Sequence, residues 1–198
     1  MAWKMVEETV HDWERIDRLR ALADGIGRCR RCPLSRHRTR AVAGEGPPDA
    51  RMVLVGEAPG AREDQTGRPF VGPAGRFLDR LLAEQGFRRS DIFLTSCVKC
   101  RPPGNRTPHR QELTTCTSTW LLPQLRLIAP AVTVLCGRTA VAALLGGPFR
   151  LADHHGTFRR QGDMTYFITY HPAAAMRFAE TAAAMQADLA LLAARMGR

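Results

Sequence analysis

Residues 53–75, VLVGEAPGAREDQTGRPFVGPAG, constrain this chain more tightly than any other stretch. The apolar run Met52, Val53, Leu54 and Val55 stops at Gly56, and a polar loop carrying Glu57, Glu63 and Asp64 follows. Apolar character returns at Phe70 and Val71, and a helix is expected after Pro73. Five glycines and three prolines fall in this window. Glycine permits positive φ and close approach of a ligand, while proline fixes φ, so together they shape a rigid mouth. Open α/β sheets bind ligands outside the carboxyl ends of their strands, where such a loop begins. The window therefore reads as the floor of an active site.

The rest of the chain supplies the sheet. Apolar residues at three- and four-residue spacing (Trp3, Val6, Val10, Trp13, Ile16, Leu19, Leu22, Ile26) predict a helix over 3–27. Strands are expected at 51–56, 91–96, 131–136 and 166–169, with helices at 73–86, 110–128, 138–145 and 173–196. Strands alternating with helices imply a parallel sheet covered on both faces. Neither a repeat nor a linker interrupts the pattern, so residues 1–198 read as one domain. Three strand exits, at Gly56, at 96–100 and at His171-Pro172, carry polar or special residues. Parallel strands bring such exits to one edge.

A formal net charge of +10 and a sequence pI near 10.3 point to a polyanionic partner. The sequence offers no apolar run near the ~18 residues of a membrane helix and no secretory leader, so a cytoplasmic protein is expected. Six cysteines in such a chain favour metal binding over disulfides. By spacing alone, Cys29-x-x-Cys32 and Cys97-x-x-Cys100 form two pairs of the kind that bind zinc, although 64 residues separate them.

The motifs GEAPGAREDQTGRPFVGPAG, VKCRPPGNRTP and HPAAAMR, in this order and with these cysteines, resemble a family 4 uracil-DNA glycosylase. That is the iron–sulfur branch of the uracil-DNA glycosylase superfamily, and the similarity runs from about Cys29 into the last helix. The resemblance implies a three-layer α/β/α sandwich around a four-stranded parallel sheet. It also implies hydrolysis of the N-glycosidic bond of a base flipped out of DNA, because the sugar carbon is out of reach inside the stack. Residue by residue, it makes Glu63 the group that positions or activates water, with Glu57 the second acidic residue of the motif. His171 would donate to O2 of the departing base, and Phe70 would stack on it. Gly56, Ala58 and Ser96 would complete the base pocket. Met176 is expected as a wedge into the DNA stack and Arg177 as a phosphate contact, joined by Arg101 and Arg106. The cluster ligands map to Cys29, Cys32, Cys100 and Cys116, which suits a [4Fe–4S] cluster, with zinc as the alternative. Cys97 and Cys136 are then free thiols. The expected partner is DNA with a damaged base, met by a nucleoid-associated monomer.

Ser96 departs from the family, which carries a uracil-reading asparagine there. An amide offers a donor and an acceptor in one plane, whereas serine offers one hydroxyl. A glycosylase of altered specificity, for hypoxanthine, xanthine or an alkylated base, is therefore an alternative function. A damage-binding protein without catalysis is a second. Another superfamily branch bonds covalently to the abasic site through a histidine just before a Thr-Pro pair. Here Asn105 and Arg106 precede Thr107-Pro108 and His109 follows them, so no crosslink is expected. Lys99, the lysine of VKCRPPGNRTP, is expected at most to touch phosphate, so the activity should be monofunctional.

Overall fold

A computed structural model describes residues 2–147 and 149–197, with side chains from residue 13 onward. Four buried strands, β1 (Met52–Gly56), β2 (Ile92–Ser96), β3 (Val132–Cys136) and β5 (Met164–Thr169), pair in parallel, as their continuous apolar runs require. The sheet has five strands, in the order β2-β1-β3-β5-β4. The additional strand, β4 (Thr157–Gln161), runs antiparallel to β5 at the edge. It escaped sequence reading because TFRRQ is largely exposed and carries no apolar run.

Alternation along each strand divides the core. Met52 and Leu54 join Leu78, Leu82, Met185, Leu189 and Leu192, from α3 (Pro73–Glu84) and α8 (Ala179–Arg195), on one face. Val53 and Val55 join Leu125, Val141 and Leu144, from α5 (Leu122–Ile128) and α6 (Arg138–Leu144), on the other. The result is the expected three-layer sandwich. Each fully buried leucine contributes roughly 1.5–3 kcal/mol.

The helices differ from expectation in places with local causes. Within the first helix, α1 (Ala2–Arg28), Leu19 packs on the core and Ile26 is buried, whereas Trp13 is 64% exposed. The side chains of Trp3, Val6 and Val10 lie outside the described residues. The helix expected over 110–128 is α4 (Arg110–Cys116) and α5 joined by a π-helical turn, Thr117–Leu121. Pro123 has no N–H to donate to the preceding turn, which accounts for the widening there. The loop after β1 contains a short helix, α2 (Ala61–Thr66), that its glycines and prolines concealed. The last helix is split into α7 (Pro172–Ala175) and α8, leaving 176–178 between them. No helix among the described residues is long and apolar enough to cross a membrane.

Buried Asp188 ties α8 to the sheet: its carboxylate accepts from Thr169 Oγ1 at 2.7 Å and pairs with His155 Nδ1 at 2.9 Å. Asp188→Ala leaves the buried Thr169 hydroxyl without its acceptor, a loss of about 1–3 kcal/mol. Denaturant unfolding should show that loss, with Asp188→Asn losing less. Equal stability of wild type and Asp188→Ala would contradict this role.

Candidate active site

The candidate site begins where β1 ends. Gly56 is paired in register with Ser96 of β2, and the ring of Phe70 rests against Gly56. A Cβ on Gly56 would sit 2.7 Å from Phe70 Cζ, so any side chain there displaces the ring. Phe70 has φ of 51°, in the left-handed region where a bulky residue costs about 1–3 kcal/mol. Two charged groups hold it there. Glu63 Oε1, from α2, accepts the N–H groups of Val71 at 2.9 Å and Gly72 at 2.7 Å. Arg89 donates to the carbonyls of Pro69 at 2.7 Å and Phe70 at 3.1 Å, while pairing with Asp79 at 2.9 Å. Charge-assisted bonds on both sides of one residue over-determine its conformation.

Glu57 follows Gly56 directly, and its carboxylate accepts a short hydrogen bond from Thr139 Oγ1 in the first turn of α6. His171 leaves β5 and caps α7, its Nδ1 accepting from the Ala173 N–H at 3.2 Å. Burial pushes its pKa down to about 4, so the ring is neutral at pH 7. A neutral imidazole whose Nδ1 accepts must carry its proton on Nε2. Gly137, with φ of 89°, makes room for the His171 backbone and Cβ: a Cβ there would meet His171 Cβ at 2.9 Å. The turn at 137–139 thus touches both His171 and Glu57.

The remaining expected residues fall in different settings. Ser96 is buried beside Gly56, and half-buried Ala58 packs against the small core of Leu34, Val98, Cys100 and Cys116. Met176 is 47% exposed and Arg177 is exposed, as a wedge and a phosphate contact need. Phe178, 62% exposed in the same break, escaped sequence reading; the aromatic following Met176-Arg177 was the available signal. Arg101 donates to Asn105 Oδ1 at 2.7 Å. Arg106 forks onto the buried Glu112 carboxylate at 2.8 and 2.9 Å, holding that carboxyl below its ordinary range. Glu112 also accepts the His109 N–H at 2.7 Å, so His109 serves as the cap of α4. Lys99 is not a phosphate contact. It is 1% exposed, its Nζ donates to Thr95 Oγ1 at 2.5 Å, and burial lowers its pKa to about 8.

Cys29, Cys32, Cys100 and Cys116 line one cavity with Ile26, Trp120 and Lys99. Three N–H donors reach these sulfurs: Arg38 Nη1 to Cys100 at 2.9 Å, Trp120 Nε1 to Cys29 at 3.3 Å, and the Lys99 amide to Cys116 at 3.3 Å. Burial raises the Cys116 thiol to about 12 and raises that of Cys100 as well, so a bound metal must displace their protons. Among the described residues, no group of three or more His, Cys, Asp or Glu side chains is arranged to hold a metal ion. Four thiols in one cavity, approached by N–H donors and by no carboxylate, nevertheless fit an iron–sulfur cluster by donor chemistry. Cys97 lies instead in the core with Val53 and Val55 and does not line the cavity, which breaks the spacing-based zinc set. Cys97 and Cys136 are buried free thiols, both pushed up by desolvation.

A family profile of the uracil DNA glycosylase superfamily matches residues 43–193. The chain is 41% identical over 181 residues to a type-4 uracil-DNA glycosylase of Pyrobaculum aerophilum, covering 87% of this chain and 92% of that protein. To a type-4 uracil-DNA glycosylase of Thermotoga maritima it is 45% identical over 135 residues, covering 68% and 70%. A type-5 uracil-DNA glycosylase of Thermus thermophilus is 39% identical over 144 residues, covering 59% and 63%.

The Glu63 bonds make a structural prediction. Glu63→Ala removes the acceptor for the Val71 and Gly72 amides, and hydrogen exchange at these two should accelerate most. Glu63→Gln keeps an acceptor oxygen and should protect them nearly as well. Undisturbed protection in Glu63→Ala would show that Phe70 is held without this carboxylate.

Proposed function

This chain belongs to the uracil DNA glycosylase superfamily and, within it, to the type-4 uracil-DNA glycosylases, and on that footing we propose that it hydrolyses the N-glycosidic bond of uracil in DNA. The observation that carries the reading is His171: a neutral, half-buried imidazole with its proton on Nε2, at the same sheet edge as the Phe70 ring. The extruded base stacks on Phe70, an interaction worth about 1–3 kcal/mol. As the bond from C1′ to N1 breaks, its electron pair leaves with the base. Nε2–H of His171 donates to O2 and stabilises the anion without being a charged acid. Water then attacks the cationic C1′, and the proton that it loses neutralises the uracil anion. The products are free uracil and an abasic site.

Glu57 supplies the negative charge beside the sugar and orients the water, its carboxylate steadied by Thr139. The resemblance gave the water to Glu63. The two amides on Glu63 Oε1 instead support a positioning role, with Glu63 holding the stacking ring. Buried Lys99 offers no free amine for a Schiff base, and His109 is engaged as a helix cap, which supports a monofunctional enzyme without a stable DNA adduct. Cys29, Cys32, Cys100 and Cys116 would hold a [4Fe–4S] cluster. Bound there, it supplies a covalent tie between the end of α1 and the loop after β2. We further place the protein on chromosomal DNA as a monomer, with Met176 and Arg177 entering or contacting the strand.

Single-turnover excision across pH tests these roles. Glu57→Gln should slow excision by about 10²–10⁴-fold, the range of a positioned general base. Glu63→Gln should change it far less than Glu63→Ala. Because His171 is lowered to about 4, its protonation should leave no inflection near the ordinary histidine pKa of about 6.5. Equal losses in Glu63→Gln and Glu63→Ala would return the water to Glu63. An inflection near 6.5 that disappears in His171→Asn would mean that His171 titrates as an exposed imidazole.

Ser96 favours a second reading on one point. It is buried and in register with Gly56, beside the stacking ring, and a base reaching it would meet one hydroxyl in place of an amide. Ser96→Asn should raise the preference for uracil over hypoxanthine and xanthine, by about 1–3 kcal/mol if a bidentate contact forms. An unchanged ratio would remove Ser96 from base reading.

A further inference from the structure

The chain has no acidic residue between Asp24 and Glu45, yet residues 28–40 hold six arginines. One of them, Arg38, is engaged: it donates to Cys100 Sγ at 2.9 Å and to the Gly27 carbonyl at 2.7 Å. The other five, Arg28, Arg30, Arg31, Arg36 and Arg40, are exposed, and none has a carboxylate partner among the described residues. Arginines at 68, 88, 89 and 106 are each paired with an acid.

This basic segment is fixed to the pocket. Leu34, in the turn Pro33–Arg36, is 1% exposed in the small core against which Ala58 of the pocket loop packs. The Thr39 and Arg40 amides donate to Asp64 Oδ1 at 2.9 and 3.4 Å, and Asp64 adjoins Glu63 in α2. The Val42 amide donates to the Lys99 carbonyl at 2.8 Å, just past the end of β2. The arginines therefore hang from a backbone that shares its anchors with the base pocket at the carboxyl edge of the sheet. Positive charge held ready in this way binds a polyanion with little of the ordering cost that a flexible tail meets.

Resting on the glycosylase reading for its partner, we propose that Arg28, Arg30, Arg31, Arg36 and Arg40 form a ridge that grips the DNA phosphate backbone flanking the extruded nucleotide. Three of them alternate with Cys29 and Cys32, so the cysteine cavity sets the register of the ridge on the duplex. This gives the N-terminal cysteine loop a binding role beside its structural one.

Fluorescence anisotropy on an undamaged duplex, over a series of salt concentrations, tests the ridge without requiring excision. Each phosphate contact removed lowers the slope of log K against log salt by about 0.9. Arg36→Gln should lose about one such unit, and the combined Arg28→Gln, Arg30→Gln and Arg36→Gln variant about three times as much. Arg126→Gln, on α5 where the chain approaches the amino end of β3, should keep the wild-type slope. Circular dichroism checks folding of the combined variant, and exposed Arg36 lies outside the Cys29–Cys32 pair should that variant fail. Slopes equal to wild type in folded variants would overturn the ridge. A reduced slope in a protein that excises no base would uphold it and count against the glycosylase reading. An unchanged slope with normal uracil excision would do the reverse.

Discussion

A phenylalanine ring lying on a residue without a side chain is the constraint on which the rest of the site depends. Phe70 occupies that place with its backbone in the left-handed region. Glu63 pulls on the amides after it and Arg89 on the carbonyls at and before it. Each of these groups is held from a different element, α2 for the carboxylate and the turn before β2 for the guanidinium. The stacking surface is thus a product of the sheet's carboxyl edge rather than of the loop alone. Preorganisation of this kind moves the cost of orienting the base from the reaction to folding.

The same edge decides which groups can carry charge. His171 is neutral because burial disfavours the imidazolium, and its tautomer follows from the Ala173 amide that it caps. Lys99, a strong cation by sequence, is drawn inside against Thr95 and lost to the DNA surface. Arg106 is likewise occupied with Glu112. Exposed arginines without an acidic partner cluster around Cys29 and Cys32, in a stretch with no acid between Asp24 and Glu45. A high net charge is therefore a poor guide to which arginines are available, and the pairing pattern is a better one.

What could be read from residues follows the physics of each element. The four parallel strands were legible because both of their faces are buried, which leaves continuous apolar runs. Strand β4 was not, since an exposed edge strand needs no such run, and the turn at Gly162-Asp163 was its main trace. The short helix α2 was hidden by flanking glycines that are needed for the loop's shape. Spacing alone grouped Cys97 with Cys100, and only the resemblance pointed to Cys116. The chain bends at each of 97–100 after β2 ends, which leaves Cys97 in the core with Val53 and Val55 and carries Cys100 to Cys116, a path that spacing does not encode. The different uses of Glu57 and Glu63 depend on partners at 139, 71 and 72, and no local pattern encodes those contacts.

The central claim is that this edge is built to break the bond between uracil and its sugar. The most direct measurement incubates the wild-type protein with oligonucleotides carrying a single uracil, hypoxanthine, xanthine or alkylated base, then applies alkali to reveal abasic sites. Strand breakage at the uracil position, with free uracil released and the other bases left in place, is the predicted result. Breakage only at one of the other bases, or at none, would contradict it.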